Sequence, residues 1–81
     1  MTRYARERDR RLGDALIDVY VEWREECFAV HLTYERWRSA SRKDRAAAFA
    51  AYNAALDREE RAGNVYADMI RQATPRVPQP A

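Results

Sequence analysis

Residues 16–37 read LIDVYVEWREECFAVHLTYERW, and large side chains recur along this stretch at alternating spacings of four and three. These side chains are Leu16, Tyr20, Trp23, Cys27, Val30, Tyr34 and Trp37. Such spacings keep residues on one face of an α-helix, whereas neighbouring residues of a β-strand point to opposite faces. The stretch therefore predicts one long helix with a continuous apolar seam.

A second seam with the same spacing follows after a short break in the helical pattern. It comprises Phe49, Tyr52, Leu56, Glu59, Gly63, Tyr66 and Ile70. Within the break, Ser41 can cap a helix N-terminus and Asp44 can reach back to it as a short-armed capping box. A break this short makes the helices antiparallel neighbours. We therefore predict an all-α fold, a two-helix antiparallel hairpin in a single domain of 81 residues.

The expected boundaries follow from the same punctuation. We place helix 1 at about residues 4–38, the turn at 39–41 and helix 2 at about 42–73. Helix 2 ends at about Ala73, because Thr74 precedes a proline and is biased away from helical geometry. Residues 74–81 contain all three prolines and predict a loose tail. We identify no internal repeat.

Folding the hairpin about its turn brings the two seams face to face. The predicted opposite pairs are Trp37 with Arg45 and Phe49, Val30 with Tyr52, Cys27 with Ala55 and Leu56, Trp23 with Glu59, Tyr20 with Ala62 and Gly63, Leu16 with Tyr66, and Leu12 with Ile70. Large side chains face small ones at several levels, as in densely packed cores. A glycine inside a helix costs about 1 kcal/mol relative to alanine, and a close approach by Tyr20 or Trp23 would explain Gly63.

Glu59 is the charged residue of the second seam. Its carboxylate can accept a hydrogen bond from the Trp23 indole N–H or pair with Arg24, because buried polar groups need partners. The functional alternative is an internal acid.

Helix 1 carries more apolar surface than one partner helix can cover. Ile17, Val21, Phe28 and Leu32 form a second strip beside the main seam. A lone hairpin would leave this strip in water, and exposed apolar patches mark partner surfaces. We therefore expect a homodimeric four-helix bundle, with a different protein as the alternative partner. The expected interface comprises Ile17, Val21, Arg24, Phe28, His31 and Leu32.

The formal net charge of +2 is unevenly distributed. Folding the hairpin gives +5 at the end that carries the termini, +4 at the turn end (residues 36–45) and −7 in the waist between them. An acidic waist repels phosphate, whereas nucleic acid binding needs a continuous basic stripe. Nucleic acid is therefore a disfavoured partner. The residues left to contact it are those of the Arg-rich N-terminus, Arg3, Arg6, Arg8, Arg10 and Arg11.

Cys27, His31 and Glu35 form one row on helix 1 and are the candidate metal ligands. Ligands at i and i+4 can share a metal, and a two-fold axis would double the cysteine–histidine pair. The chain has no second cysteine or histidine, however, and a cysteine in a core seam is commonly a small hydrophobe. No glycine-rich phosphate loop or serine-centred elbow occurs. We therefore expect no metal, no cofactor and no enzymatic activity.

Trp37-Arg38-Ser39 lies at the predicted turn and resembles the Trp-x-Gly turn of the WXG100 family of small secreted bacterial proteins. The resemblance implies a helical-hairpin dimer that is exported without a cleaved signal. The chain departs from that pattern at Ser39, which replaces the glycine. It also departs after Tyr66, where Ile70 replaces the acidic residue of the family's C-terminal motif.

The sequence carries no N-terminal apolar signal and no apolar run long enough to span a bilayer, so we expect a cytoplasmic protein that does not enter membranes. The leading functional interpretation is an interaction or scaffold module that self-associates through its aromatic and alanine-rich helix faces. The alternative is a small regulatory protein that docks on a different protein.

Overall fold

The computed structural model describes residues 3–74, with side chains from residue 5 onward. Two α-helices form this part of the chain: α1, Arg3–Arg38, and α2, Arg45–Ala73. The helices pack against each other as a hairpin, which confirms the predicted all-α architecture. Residues 75–81, which belong to the predicted tail, lie outside the described residues.

The connection between the helices is longer than the sequence predicts. α2 begins at Arg45 rather than at about residue 42, and the predicted capping box does not form. Asp44 is the N-cap residue, and its side chain caps no backbone N–H. Instead, the Ser41 hydroxyl donates to Asp44 Oδ2 and the Asp44 N–H donates to the Ser41 carbonyl, each at 3.1 Å. These local bonds close a turn in place of a first helical turn, as serine and aspartate commonly do.

The end of α2 agrees with the prediction. The helix ends at Ala73, and Thr74 is extended, with φ −82° and ψ 122°. The Thr74 N–H and hydroxyl both donate to the Ile70 carbonyl, at 2.9 and 2.8 Å. The Ile70 carbonyl, near the C-terminal end of the helix, therefore has hydrogen-bond donors although Pro75 follows in the sequence.

Aromatic rings form much of the contact between the helices, and they fall into two clusters. The first aromatic cluster is Tyr20, Trp23 and Tyr66, and the second aromatic cluster is Tyr34, Trp37 and Tyr52. Each residue of one cluster is 14 positions from its counterpart, which is two heptads, or about 21 Å along a helix. The short pattern Tyr-x-x-Trp thus occurs twice in α1, and each tryptophan stacks on a tyrosine of α2.

The register of the helices differs from the prediction at Tyr20. Its ring packs on Tyr66 at a centroid distance of 5.5 Å, one helical turn beyond Gly63. Side chains of both helices lean toward their own N-termini, which moves the contacts of an antiparallel pair toward higher residue numbers. The Trp37–Phe49 contact forms as predicted, at 5.1 Å.

The hairpin is a single layer with almost no interior. Its smallest extent is 13 Å, which is close to the diameter of one helix with its side chains. Among the described residues Ala55 is the one that is fully buried. The folded chain therefore leaves most of its apolar side chains in contact with water on at least one side.

Candidate interaction surfaces

A hydrogen bond between the helices closes the first aromatic cluster. Trp23 Nε1 donates to Glu59 Oε1 at 2.9 Å, and Cys27 Sγ lies 3.9 Å from the same oxygen. A Cβ atom on Gly63 would lie only 3.2 Å from Trp23 Nε1. The predicted Trp23–Glu59 bond and the close approach of Trp23 to Gly63 are both confirmed.

An ion pair that the sequence pattern does not predict lies beside this hydrogen bond. Arg58 Nε is 3.1 Å from Glu26 Oε2, and both residues are next to seam positions rather than on them. The side chains are 45% and 26% exposed, so water screens much of their attraction. The pair therefore helps to align the two helices at the centre of the hairpin and contributes little to the free energy of unfolding.

The three candidate metal ligands, Cys27, His31 and Glu35, do not form a metal-binding group among the described residues. Cys27 is half-buried in the seam, and His31 and Glu35 are exposed. Glu35 Oε1 lies 4.0 Å from Arg38 Nη1. Within residues 5–74, no group of three or more histidine, cysteine, aspartate or glutamate side chains is placed to hold a metal ion.

The strip predicted as an interface lies in water on the hairpin. Exposed fractions are 61% for Ile17, 45% for Val21, 66% for Phe28 and 38% for Leu32. The polar members of the predicted interface, Arg24 and His31, are exposed as well. This face of α1 is therefore largely exposed on the hairpin and is open to a partner.

The second aromatic cluster has an open, basic flank at the turn end. A cavity of about 260 Å³ is lined by Tyr34, Trp37, Arg38 and Arg45. A neighbouring depression is lined by Trp37, Arg42, Arg45, Ala46 and Phe49. Within the described residues, the Trp37 indole has no hydrogen-bond acceptor, and Arg42 and Arg45 form no ion pair. This end therefore presents aromatic faces together with unused donors.

The N-terminal arginines lie at the opposite end of α1. Arg6, Arg8, Arg10 and Arg11 are exposed, and Arg11 Nη2 is 3.6 Å from Glu7 Oε2. The Arg3 side chain lies outside the described residues. A helix of 36 residues is about 54 Å long, so the acidic waist separates these arginines from the basic turn end.

Comparison of the chain with protein-family models, curated proteins and solved structures finds no match. In the described part of the chain, neither helix combines the length and the apolar character needed to cross a bilayer. Of the motif Trp37-Arg38-Ser39, the first two residues end α1 and Ser39 begins the connection.

The sequence pairs Trp37 with Arg45 and Phe49 but does not single out the turn-end cavity, because the arginines of residues 36–45 enter the prediction only through the net charge of the turn end. A usable signal exists in the repeat of Tyr-x-x-Trp along α1. Arg45 lies opposite Trp37 as Glu59 lies opposite Trp23. The recurrence of Tyr-x-x-Trp therefore indicates a position where a guanidinium replaces a carboxylate.

Proposed function

We propose that this protein is a non-enzymatic interaction module that self-associates as a homodimeric four-helix bundle through the exposed strip of α1. The observation that carries the proposal is the missing interior. Ala55 is the one fully buried residue among those described, and the hairpin is 13 Å thick. A stable domain packs at least two layers around a core, so a single layer of two helices calls for a second one.

The exposed apolar side chains support the same proposal. Among the described residues, nine large hydrophobic side chains are at least 38% exposed, and four of them form the strip of α1. A second copy of the chain is the simplest partner, because two-fold dimers are the commonest oligomers.

The strip has the spacing that a second helix pair requires. Five of the six interface residues each follow a seam residue by one position, which turns them by about 100° around α1 while preserving the alternation of four and three. They are Ile17, Val21, Arg24, Phe28 and His31, and Leu32 lies one turn after Phe28. Phe28 is 66% exposed and lies near the middle of the strip, so it is the expected anchor of the interface.

The test is the molar mass in solution, measured by size exclusion with multi-angle light scattering. We expect about 19 kDa for the unaltered chain, which is a dimer of 9.5 kDa protomers. Phe28→Asp should give the monomer mass at the same concentration, because it places a charge in the centre of the apolar interface.

Ala54→Asp is the matched control, since Ala54 is exposed and lies on the side of α2 away from the seam. It adds the same charge and should leave the dimer intact. A monomeric unaltered chain with a stable helical circular-dichroism spectrum would overturn the proposal. Equal dissociation by both variants would place the interface elsewhere.

A further inference from the structure

The two aromatic clusters share their ring geometry but differ in what meets the tryptophan N–H. The tryptophan stacks on its tyrosine at 5.6 Å in both, with interplanar angles of 10° and 11°. In the first cluster, Glu59 accepts the Trp23 N–H. In the second cluster, no acceptor for the Trp37 N–H exists among the described residues.

A shift of 14 residues along α2 shows what has been exchanged. It replaces Glu59 with Arg45 and Gly63 with Phe49. Where the first cluster supplies its own carboxylate, the second supplies a guanidinium, and Arg38 lines the same cavity of about 260 Å³. The second cluster therefore has the donors of a carboxylate site and lacks the carboxylate.

We propose that the turn-end cavity binds a glutamate or aspartate side chain from an acidic segment of another protein. The incoming carboxylate takes the role at Trp37 that Glu59 has at Trp23. One oxygen accepts the indole N–H and the other accepts from Arg45, in charge-assisted bonds that are stronger than neutral ones. Phe49, 43% exposed, offers an apolar surface to the methylene groups of the ligand.

The charge of the molecule favours a short acidic protein segment over nucleic acid. The turn end carries +4 and the waist −7, so an attractive region is bordered by a repulsive one. A nucleic acid strand that leaves the turn end meets the acidic waist, whereas a peptide with a few carboxylates does not extend so far. The cavity of about 260 Å³, with the Trp37 N–H and the Arg45 guanidinium as donors, is suited to a single acidic side chain.

The choice of a different protein, but not the site itself, rests on the proposed dimer. In a two-fold dimer with its helices aligned, the turn end of one protomer lies beside either the turn end or the terminal end of its partner. Both ends are basic, at +4 and +5, so the second copy does not supply the acid. Trp37 and Arg45 are not members of the proposed dimer interface, so the site stays accessible in monomer and dimer alike.

The experiment uses a labelled hexaglutamate peptide at low ionic strength, with binding followed by fluorescence anisotropy and by the indole N–H resonances of the ¹⁵N-labelled protein. The Trp37 indole resonance should move on titration and the Trp23 resonance should stay. Arg45→Gln should weaken binding at least about tenfold, since it removes a charge-assisted bond.

Lys43→Gln is the matched control, because it removes the same charge from the turn without altering a residue that lines the cavity. It should weaken binding by no more than about threefold. Arg45→Glu gives the second cluster its own carboxylate. It should abolish peptide binding and slow the exchange of the Trp37 indole proton toward that of Trp23.

Equal weakening by Arg45→Gln and Lys43→Gln would overturn the proposal, because only net charge would then matter. Equally tight binding of an oligothymidylate of the same charge would overturn it in favour of phosphate. Repeating the titration with Phe28→Asp separates this site from the dimer: binding should persist, and its loss would assign the acidic contact to the assembly instead.

Discussion

The middle and the turn end of the hairpin carry the same aromatic cluster in different surroundings. The tyrosine–tryptophan pair along α1 is edge-on in both clusters, with centroids 6.2 and 6.0 Å apart. The tyrosine–tyrosine pair between the helices has centroids at 5.5 and 5.6 Å and the same angle of 54°. Only the neighbours on α2 differ: Glu59 and Gly63 in the first cluster, Arg45 and Phe49 in the second.

That difference shows how one packing unit can serve two purposes. Gly63 has no side chain, so the Trp23 indole can approach α2 closely. The Glu59 carboxylate, one turn earlier, fixes the orientation of that indole. With a phenylalanine and an arginine at those places, the ring geometry persists while the N–H stays available. The Trp23 N–H of the first cluster is therefore engaged in a hydrogen bond between the helices, whereas the Trp37 N–H of the second cluster is available to another molecule.

The comparison is tested most strongly by removing each tryptophan. Trp23→Ala should lower the free energy of unfolding by about 3 kcal/mol and Trp37→Ala by about 2 kcal/mol. The first loses its ring contacts and also leaves the half-buried Glu59 carboxylate without its donor. Urea unfolding followed by circular dichroism, at one protein concentration for all variants, measures both. A larger loss for Trp37→Ala would show that the hydrogen bond contributes no net stability.

Phenylalanine substitutions sharpen the comparison, because they keep a ring and remove only the N–H. Trp23→Phe should cost about 1–2 kcal/mol, since a half-buried acceptor loses its partner. Trp37→Phe should cost less than about 1 kcal/mol, because it loses only ring area at an open site. The same unfolding measurement applies. Equal costs would mean that Glu59 is solvated as well without the indole as with it.

Alanine at the two glycines gives the smallest effect and tests the close approach of Trp23. Gly13 has open space around it, so Gly13→Ala should raise the free energy of unfolding by roughly 0.5–1 kcal/mol. Gly63→Ala gains the same propensity but sets a Cβ against an indole held by Glu59 and Tyr66. Overpacking costs at least about 1 kcal/mol, so Gly63→Ala should give no gain. Comparable gains at both positions, measured from thermal midpoints, would show that Trp23 moves aside without cost.

Much of the fold could be predicted from the spacing of large residues, and the reasons are local. Two seams with alternating spacing dictate two helices, and a short break dictates their antiparallel pairing. The Trp23–Glu59 bond was also predictable, because a carboxylate in an apolar seam must find a donor. The start of α2 could not be predicted in the same way, since serine and aspartate side chains stabilise helix caps and turns about equally well.

The turn-end site was beyond the same reasoning for a different reason. A guanidinium near a helix end is usually a solvated charge, and nothing in composition distinguishes Arg45 from Lys43. The sequence pairs Arg45 with Trp37 and Glu59 with Trp23, but the equivalence of the two pairs appears only when the clusters are superimposed along the hairpin. Position 45 then coincides with position 59.

By itself, the sequence determined which face of each helix points to the other, and it determined the strip that stays outside. Both follow from the angle of about 100° per residue, which depends on spacing alone. The tertiary structure decided which rings lie on which, as in the packing of Tyr20 on Tyr66, and whether each indole N–H meets an acceptor. These contacts depend on the lean of side chains toward each helix N-terminus. Two tryptophan clusters with the same ring geometry therefore differ in whether the indole N–H has an acceptor among the described residues.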